Sequence, residues 1–179
     1  MYFDFSKLSA DDLLLARSIL GWELRAPDLV IAPDGKPYLY RWHLIPHSTQ
    51  ANVYFHIQVD SDPERPLHDH PWENQSVILS GGYDELINFQ PMATPIGEDA
   101  GSHAIRRPLR KGDVVHRLAS EAHRLILPPQ FPYTMTIFST GPKVRTWGFW
   151  FTSGFKSYSE VTEMRDGSSQ MKAELRHVS

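Results

Sequence analysis

His68 and His70 stand one residue apart, between a polar turn and an apolar run that ends in Gly81-Gly82. Side chains alternate along an extended chain, so the two imidazoles leave the same side. A third histidine, His123, closes another strand-like segment opened by Gly112. Imidazoles brought together from distant strands form a facial nitrogen set for a divalent ion, with open positions for water, oxygen or substrate. Asn74 lies on the same stretch as a neutral fourth donor, either through its side-chain oxygen or by holding a water beside the ion. Glu73 is the weaker alternative, because alternation places it opposite Asn74.

Other groups could serve such a centre in secondary roles. His56 and His116 are candidates for moving a proton, since imidazole titrates near neutrality. Arg145, alternating with Trp147, could clamp a carboxylate or phosphate, and Tyr83 could be an acid or a substrate contact. Each also has a structural role open to it: a strand histidine satisfied by a neighbour, a surface arginine, a packed aromatic. His43, His47 and His103 have no ligand spacing. The basic cluster Arg106, Arg107, Arg110 and Lys111 reads as a solvated loop. A nucleophile elbow, a phosphate loop and an H-E-x-x-H helix are all missing from the sequence.

The elements that must position these residues are mostly strands. Ser9 followed by Asp12 reads as a helix start, with Leu13 and Leu14 in helical arrangement and Gly21 as the stop, giving one short helix over about 9–20. Beyond it, turn clusters recur at Pro33-Asp34-Gly35, Asp60 to Pro66, Gly81-Gly82, Pro95 to Gly101, Pro128-Pro129 and Gly141-Pro142. Between them lie short runs rich in Val, Ile, Tyr, Phe, Trp and Thr, the mark of many antiparallel strands. Val53, Phe55, Ile57 and Val59 share one face, leaving Tyr54, His56 and Gln58 on the other. Fourteen prolines, mainly at turns, suit a sandwich or barrel. From about Asp166 to 179 the chain is a polar tail, weakly helical from Gln170 to Arg176.

Composition sets the outer bounds. With 179 residues, 41% hydrophobic and 22% charged, the chain is expected to be one soluble domain. A formal charge of −3 gives no electrostatic reason for a nucleic-acid or membrane partner, and the absence of cysteine excludes disulfides and thiolate sites. No apolar stretch approaches a membrane span and the start does not read as a secretory signal, so a cytoplasmic location is expected. Aromatic strands of edge type are compatible with a homodimer.

The spacing around the histidines resembles the cupin superfamily. Its first motif, G-x5-H-x-H-x3-E-x6-G, is met by His68, His70 and Gly81, with Asp62 at the first glycine and Asn74 at the glutamate. Its second, G-x5-P-x-G-x2-H-x3-N, is met by Gly112 and His123, with Leu118, Ser120 and Leu127 in the remaining places. The strings HDHPW, SVILSGGYDE, HRLILP and GPKVRTWGFW are similar to a group of small bacterial and phage cupin-like proteins. The resemblance implies an all-β cupin barrel, the double-stranded β-helix or jelly roll, over about residues 37–152. It further implies one divalent ion on His68, His70 and His123. Three-histidine thiol dioxygenases are similar in lacking the glutamate. A mononuclear non-haem Fe(II) enzyme acting on a small polar substrate is therefore the leading expectation, with Zn, Ni or Mn as other ions. A non-catalytic ligand-binding cupin, or a sugar or sugar-nucleotide isomerase or epimerase, stands as the alternative.

Overall fold

The computed structural model describes residues 2–32, 35–63, 66–87, 104–151, 153–165 and 168–172. The acidic loop from Pro95 to Gly101, His103 and the tail beyond residue 172 lie outside them. Helix α1 (Ala10–Leu20) starts where expected: the Ser9 hydroxyl accepts from the Asp12 N–H at 3.2 Å, and Gly21 ends the helix with its N–H on the Arg17 carbonyl. The strands follow as β1 (Leu29–Ile31), β2 (Leu39–His43), β3 (Asn52–Gln58), β4 (Leu67–His68), β5 (Asn74–Ser80), β6 (Gly82–Ile87), β7 (Ile105–Arg110), β8 (Val114–Arg117), β9 (His123–Ile126), β10 (Thr134–Thr140), β11 (Gly148–Phe151) and β12 (Gly154–Ser157). A short helix α2 (Tyr158–Val161) leads into the pair β13 (Thr162–Arg165) and β14 (Ser168–Met171).

Two antiparallel six-stranded sheets face one another, in the orders β1-β2-β3-β10-β5-β8 and β12-β11-β4-β9-β6-β7. They remain separate, so the jelly roll is an open sandwich rather than a barrel closed by hydrogen bonds. The chain crosses from one sheet to the other between β5 and β6 at Gly81, where φ is +69°. A Cβ there would stand 2.3 Å from the Tyr133 carbonyl oxygen, so only glycine fits the corner.

The largest apolar cluster lies outside the sandwich. Phe55, Ile57, Trp42 and Met135 on the outer face of the first sheet meet Phe3, Phe5, Leu8 and Ala16 of the N-terminal segment. Leu14, read as part of the helical stripe, is exposed, while Asp12 and Ala16 turn inward. Tyr133 explains the buried acid: its hydroxyl accepts from the Ser9 N–H and donates to Asp12 Oδ2 at 2.7 Å.

The alternation in β3 sends the other set of residues into the space between the sheets. Asn52, Tyr54, His56 and Gln58 are buried there, beside Thr134, Thr136 and Thr140 of β10 and Asn74 and Ser76 of β5. The interior is thus polar. It is bounded by two apolar groups: Ile78, Tyr83, Leu109 and Val115 in one, Phe149, Phe151 and Val161 in the other.

Two expectations change. The basic cluster is not a loop: Arg106, Arg107 and Arg110 lie on edge strand β7, paired with acids of β6. The chain at Gln170 is extended in β14 rather than helical, because Ser168–Met171 pairs with Thr162–Arg165. Among the described residues no helix is long and apolar enough to cross a membrane.

Candidate metal centre

Strand pairing puts two of the histidines side by side. His68 and His123 are directly opposed across β4 and β9, so both leave the inner face of the second sheet. His70 follows just beyond β4 and turns back toward them. One ligand-type nitrogen from each of the three lies within 4.8 Å of the others, and Nε2 of His70 is 2.9 Å from Nε2 of His123. Two nitrogens on perpendicular bonds of about 2.1 Å to a shared ion stand about 3 Å apart, so the cluster fits a facial set. His123 is buried and the other two are half-buried.

The residue between the histidines holds this geometry. Asp69 has no solvent exposure; its Oδ1 accepts from the Gly148 N–H at 2.8 Å, and its Oδ2 from Trp150 Nε1 at 3.1 Å and Arg145 Nη1 at 2.5 Å. Arg145 also donates to the Ala119 carbonyl at 3.1 Å. An arginine read as a substrate clamp is therefore engaged in fixing the backbone on which His68 and His70 ride.

Glu85, absent from the sequence reading of the site, is its second support. It is fully buried on β6, and its Oε1 accepts from Nδ1 of His123 at 2.6 Å. A carboxylate on Nδ1 selects the tautomer that leaves the Nε2 lone pair for a ligand bond. Arg117 reaches across from β8 to the same Oε1 through Nε, and Arg107 binds Oε2 through Nη2 at 2.5 Å. Burial alone would push the Glu85 carboxyl up. The hydrogen bond from His123 and the Arg117 charge overcome it and hold the group far below the ordinary carboxylate range. At His70, burial and then the charges of His123, Arg117 and Arg41 outweigh Glu85 and hold the imidazole well below its ordinary value. Neutral imidazole is the form that binds metals. The sequence signal for Glu85 was a single acid in register with Tyr83 and Ile87 on an otherwise apolar strand face.

The remaining candidates separate. Asn74 is buried on the inner face, but its Oδ1 is turned toward Arg117 Nη1 at 3.4 Å. The oxygen expected to reach the ion is thus directed at a guanidinium, and the Nδ2 left over has no lone pair to give. Nδ2 and the Oγ1 of Thr140, its cross-strand neighbour, are buried without hydrogen-bond partners among the described residues. Tyr83 packs with Ile78 and Val115 and lies against Arg117, which fits the packing role. His116 points outward from β8, 55% exposed, and stands 3.7 Å from Glu73, itself 59% exposed. Strand alternation removes both from the site, because Arg117 takes the inward position. His56 is inside: its Nε2 accepts from Arg41 Nε at 2.9 Å, and its ring stacks on Tyr54 and Phe138. Burial, then the Arg41 and His43 charges, hold it well below the usual histidine range, so it stays neutral. A separate hollow of about 560 Å³ beside the N-terminal segment, lined by Tyr2, Lys7, Lys36 and Asp60 among others, includes none of these groups.

Neither a family model nor a curated protein matches the sequence. Among solved structures the chain is similar to the DMSP lyase DddQ from Ruegeria pomeroyi DSS-3, at 17% identity over 83% of this chain and 72% of that one, with a TM-score of 0.51. It is also similar to a cupin superfamily protein from Desulfitobacterium hafniense DCB-2, at 13% identity over 59% of this chain and 78% of that one, with a TM-score of 0.40. A third similarity is to the FeII form of HppE in complex with substrate, at 11% identity, 65% and 58% coverage, and a TM-score of 0.48. The two facing antiparallel sheets, with paired histidines on the inner face of one, are the double-stranded β-helix. The protein has the cupin fold.

Proposed function

We propose that the protein is a mononuclear metal-dependent cupin enzyme acting on a small polar substrate, with His68, His70 and His123 holding one divalent ion. The observation that carries this reading is the convergence of three imidazole nitrogens, one of them backed by the buried carboxylate of Glu85. Fe(II) is the first assignment, with Zn, Ni or Mn as the other ions. When bound, such an ion supplies redox or Lewis-acid chemistry at a face left open by three protein ligands. The chain's own residues orient and insulate. Asp69 and Arg145 hold the His68–His70 segment, Glu85 keeps the proton of His123 on Nδ1, and Phe138, Phe149 and Trp72 wall the cluster. Among the described residues no carboxylate oxygen belongs to the set, so an ion held there would keep its full positive charge and favour an anionic substrate group.

Elemental analysis of protein purified without an affinity tag, beside the His68→Ala/His123→Ala double variant, tests the proposal. Near-stoichiometric iron that disappears in the variant, together with dioxygen uptake on addition of substrate candidates, is the expected result. A stoichiometric ion without redox chemistry would keep the site and move the reaction to isomerase or lyase type. A folded protein that takes up no ion, even after anaerobic Fe(II) addition, would leave a ligand-binding cupin and sink the enzyme reading.

A further inference from the structure

Seven basic side chains of the described residues are paired with a carboxylate. Arg117 and Arg107 share Glu85, Arg106 and Arg110 share Asp84, Arg145 has Asp69, Arg25 has Asp28 and Lys36 has Asp60. Arg41 is different. It leaves β2 on the inner face, directly opposite His56, and among the described residues no carboxylate stands within ion-pair distance of it. Its hydrogen bond runs from Nε to a neutral imidazole, and its guanidinium lies over the Tyr54 ring at 4.6 Å from the centroid. Burial depresses its pKa, opposed by the nearby tyrosines. Arg41 is half-buried, and a guanidinium turned toward a protein interior without a counter-charge is costly, so folding stability alone gives no reason to keep one.

The geometry of its surroundings tells which part of Arg41 is available. His56 takes the Nε–H and packs in a triangle of rings with Tyr54 and Phe138, at 5.8 and 5.2 Å between ring centroids. The tyrosine covers one flat face of the guanidinium. What remains is the edge carrying Nη1 and Nη2, two parallel donors whose spacing matches the two oxygens of a carboxylate. Phe138, which packs on His56, also meets His70, at 6.3 Å. His56, the hydrogen-bond partner of Arg41, and His70 of the histidine cluster therefore pack on the same aromatic ring inside the same polar space.

We infer that Arg41 is the anion-binding residue of the interior site and takes the carboxylate of a small substrate whose other end reaches the three histidines. His56 and Tyr54 are positioning residues that aim the guanidinium. The reach of the substrate to the three histidines rests on the proposed metal site, whereas the carboxylate contact at Arg41 does not. The anion subsite is built from groups that are not ligands, so it can be tested without metal.

The test uses 19F NMR of trifluoroacetate titrated into chelator-treated protein, repeated on zinc-loaded protein. Saturable line broadening by the wild type is expected, competed by acetate and not by acetamide. Arg41→Gln should weaken binding at least tenfold, with Arg41→Lys in between, whereas His68→Ala/His123→Ala should bind trifluoroacetate as the wild type does in the metal-free state. A purely structural arginine would lower the melting temperature when replaced. Relief of an uncompensated charge predicts a melting temperature for Arg41→Gln equal to or above that of the wild type. Binding unchanged within twofold in folded Arg41→Gln or Arg41→Lys would overturn the inference, as would no saturable binding by wild type in either metal state. Stronger competition by inorganic phosphate than by acetate would overturn the carboxylate assignment. Loss of metal binding with retention of trifluoroacetate binding would sink the enzyme reading and leave the anion subsite standing.

Discussion

Glu85 shows how one side chain sets the chemistry of another. By accepting the Nδ1 proton of His123 it leaves Nε2 with its lone pair directed at the neighbouring imidazoles. Partners of this kind are worth roughly 10–100-fold in metal affinity. Glu85→Gln is therefore expected to weaken the ion by about that factor, read by competition with a chromogenic chelator, while His116→Ala leaves affinity unchanged because it faces solvent. Asp69 acts on the backbone instead. Its carboxylate is buried, and Arg145 depends on it for charge balance. Asp69→Asn should cost roughly 2–4 kcal/mol in urea denaturation, below the full value for a buried pair because Arg145 is partly exposed. It should also loosen metal binding, since His68 and His70 lose their anchor.

At the scale of elements, the N-terminal helix is tied to the first sheet by a hydrogen-bonded group as well as by apolar packing. Tyr133 bridges the Ser9 N–H and Asp12. Burial raises the Asp12 carboxyl, but the hydrogen bonds from Tyr133, Ser80 and Ser9 outweigh it and leave it below its ordinary value. A carboxyl lowered in the folded state contributes stability that is complete above the unfolded pKa, near 4. That stability is lost as pH falls through the folded value. Tyr133→Phe is expected to cost about 1.5 kcal/mol at pH 7 and to flatten the acid limb of the stability profile, measured by denaturation between pH 7 and pH 2. An undiminished acid limb would contradict the link. Gly81, at the corner between sheets, makes a second case. Gly81→Ala combines a positive φ with a Cβ pressed on the Tyr133 carbonyl and should destabilise by about 2 kcal/mol or more, seen as a lowered melting temperature.

For the whole molecule, the site joins the two sheets. His68 and His123 belong to the second sheet, and Arg117 reaches from the first to the carboxylate that serves His123. An ion bound only by the folded state stabilises the assembly by mass action. At about 100 times its dissociation constant the gain is about 2.7 kcal/mol, or roughly 5–10 °C in melting temperature. The His68→Ala/His123→Ala variant should show no such rise. A wild type whose melting temperature ignores Fe(II), Zn, Ni and Mn alike would argue against the site.

The sequence alone determined the strand-rich fold, the capped helix and the histidine set, because these depend on local rules: alternation, turn chemistry and the spacing of metal ligands. His68 and His70 were one residue apart on an extended stretch, so their shared side was expected, although His70 lies just beyond the end of β4. What lies across the sheets could not be read that way. Neither Glu85 nor Arg41 stood out by type or spacing, and Arg145 read as a clamp. Their roles come from partners that are distant in the chain, from which strand lies beside which, and from which charges find a counter-charge. Only the tertiary structure decides that Arg145 is neutralised by Asp69, Arg117 by Glu85, and Arg41 by no described group, since burial and pairing are properties of contacts between strands and not of any one of them.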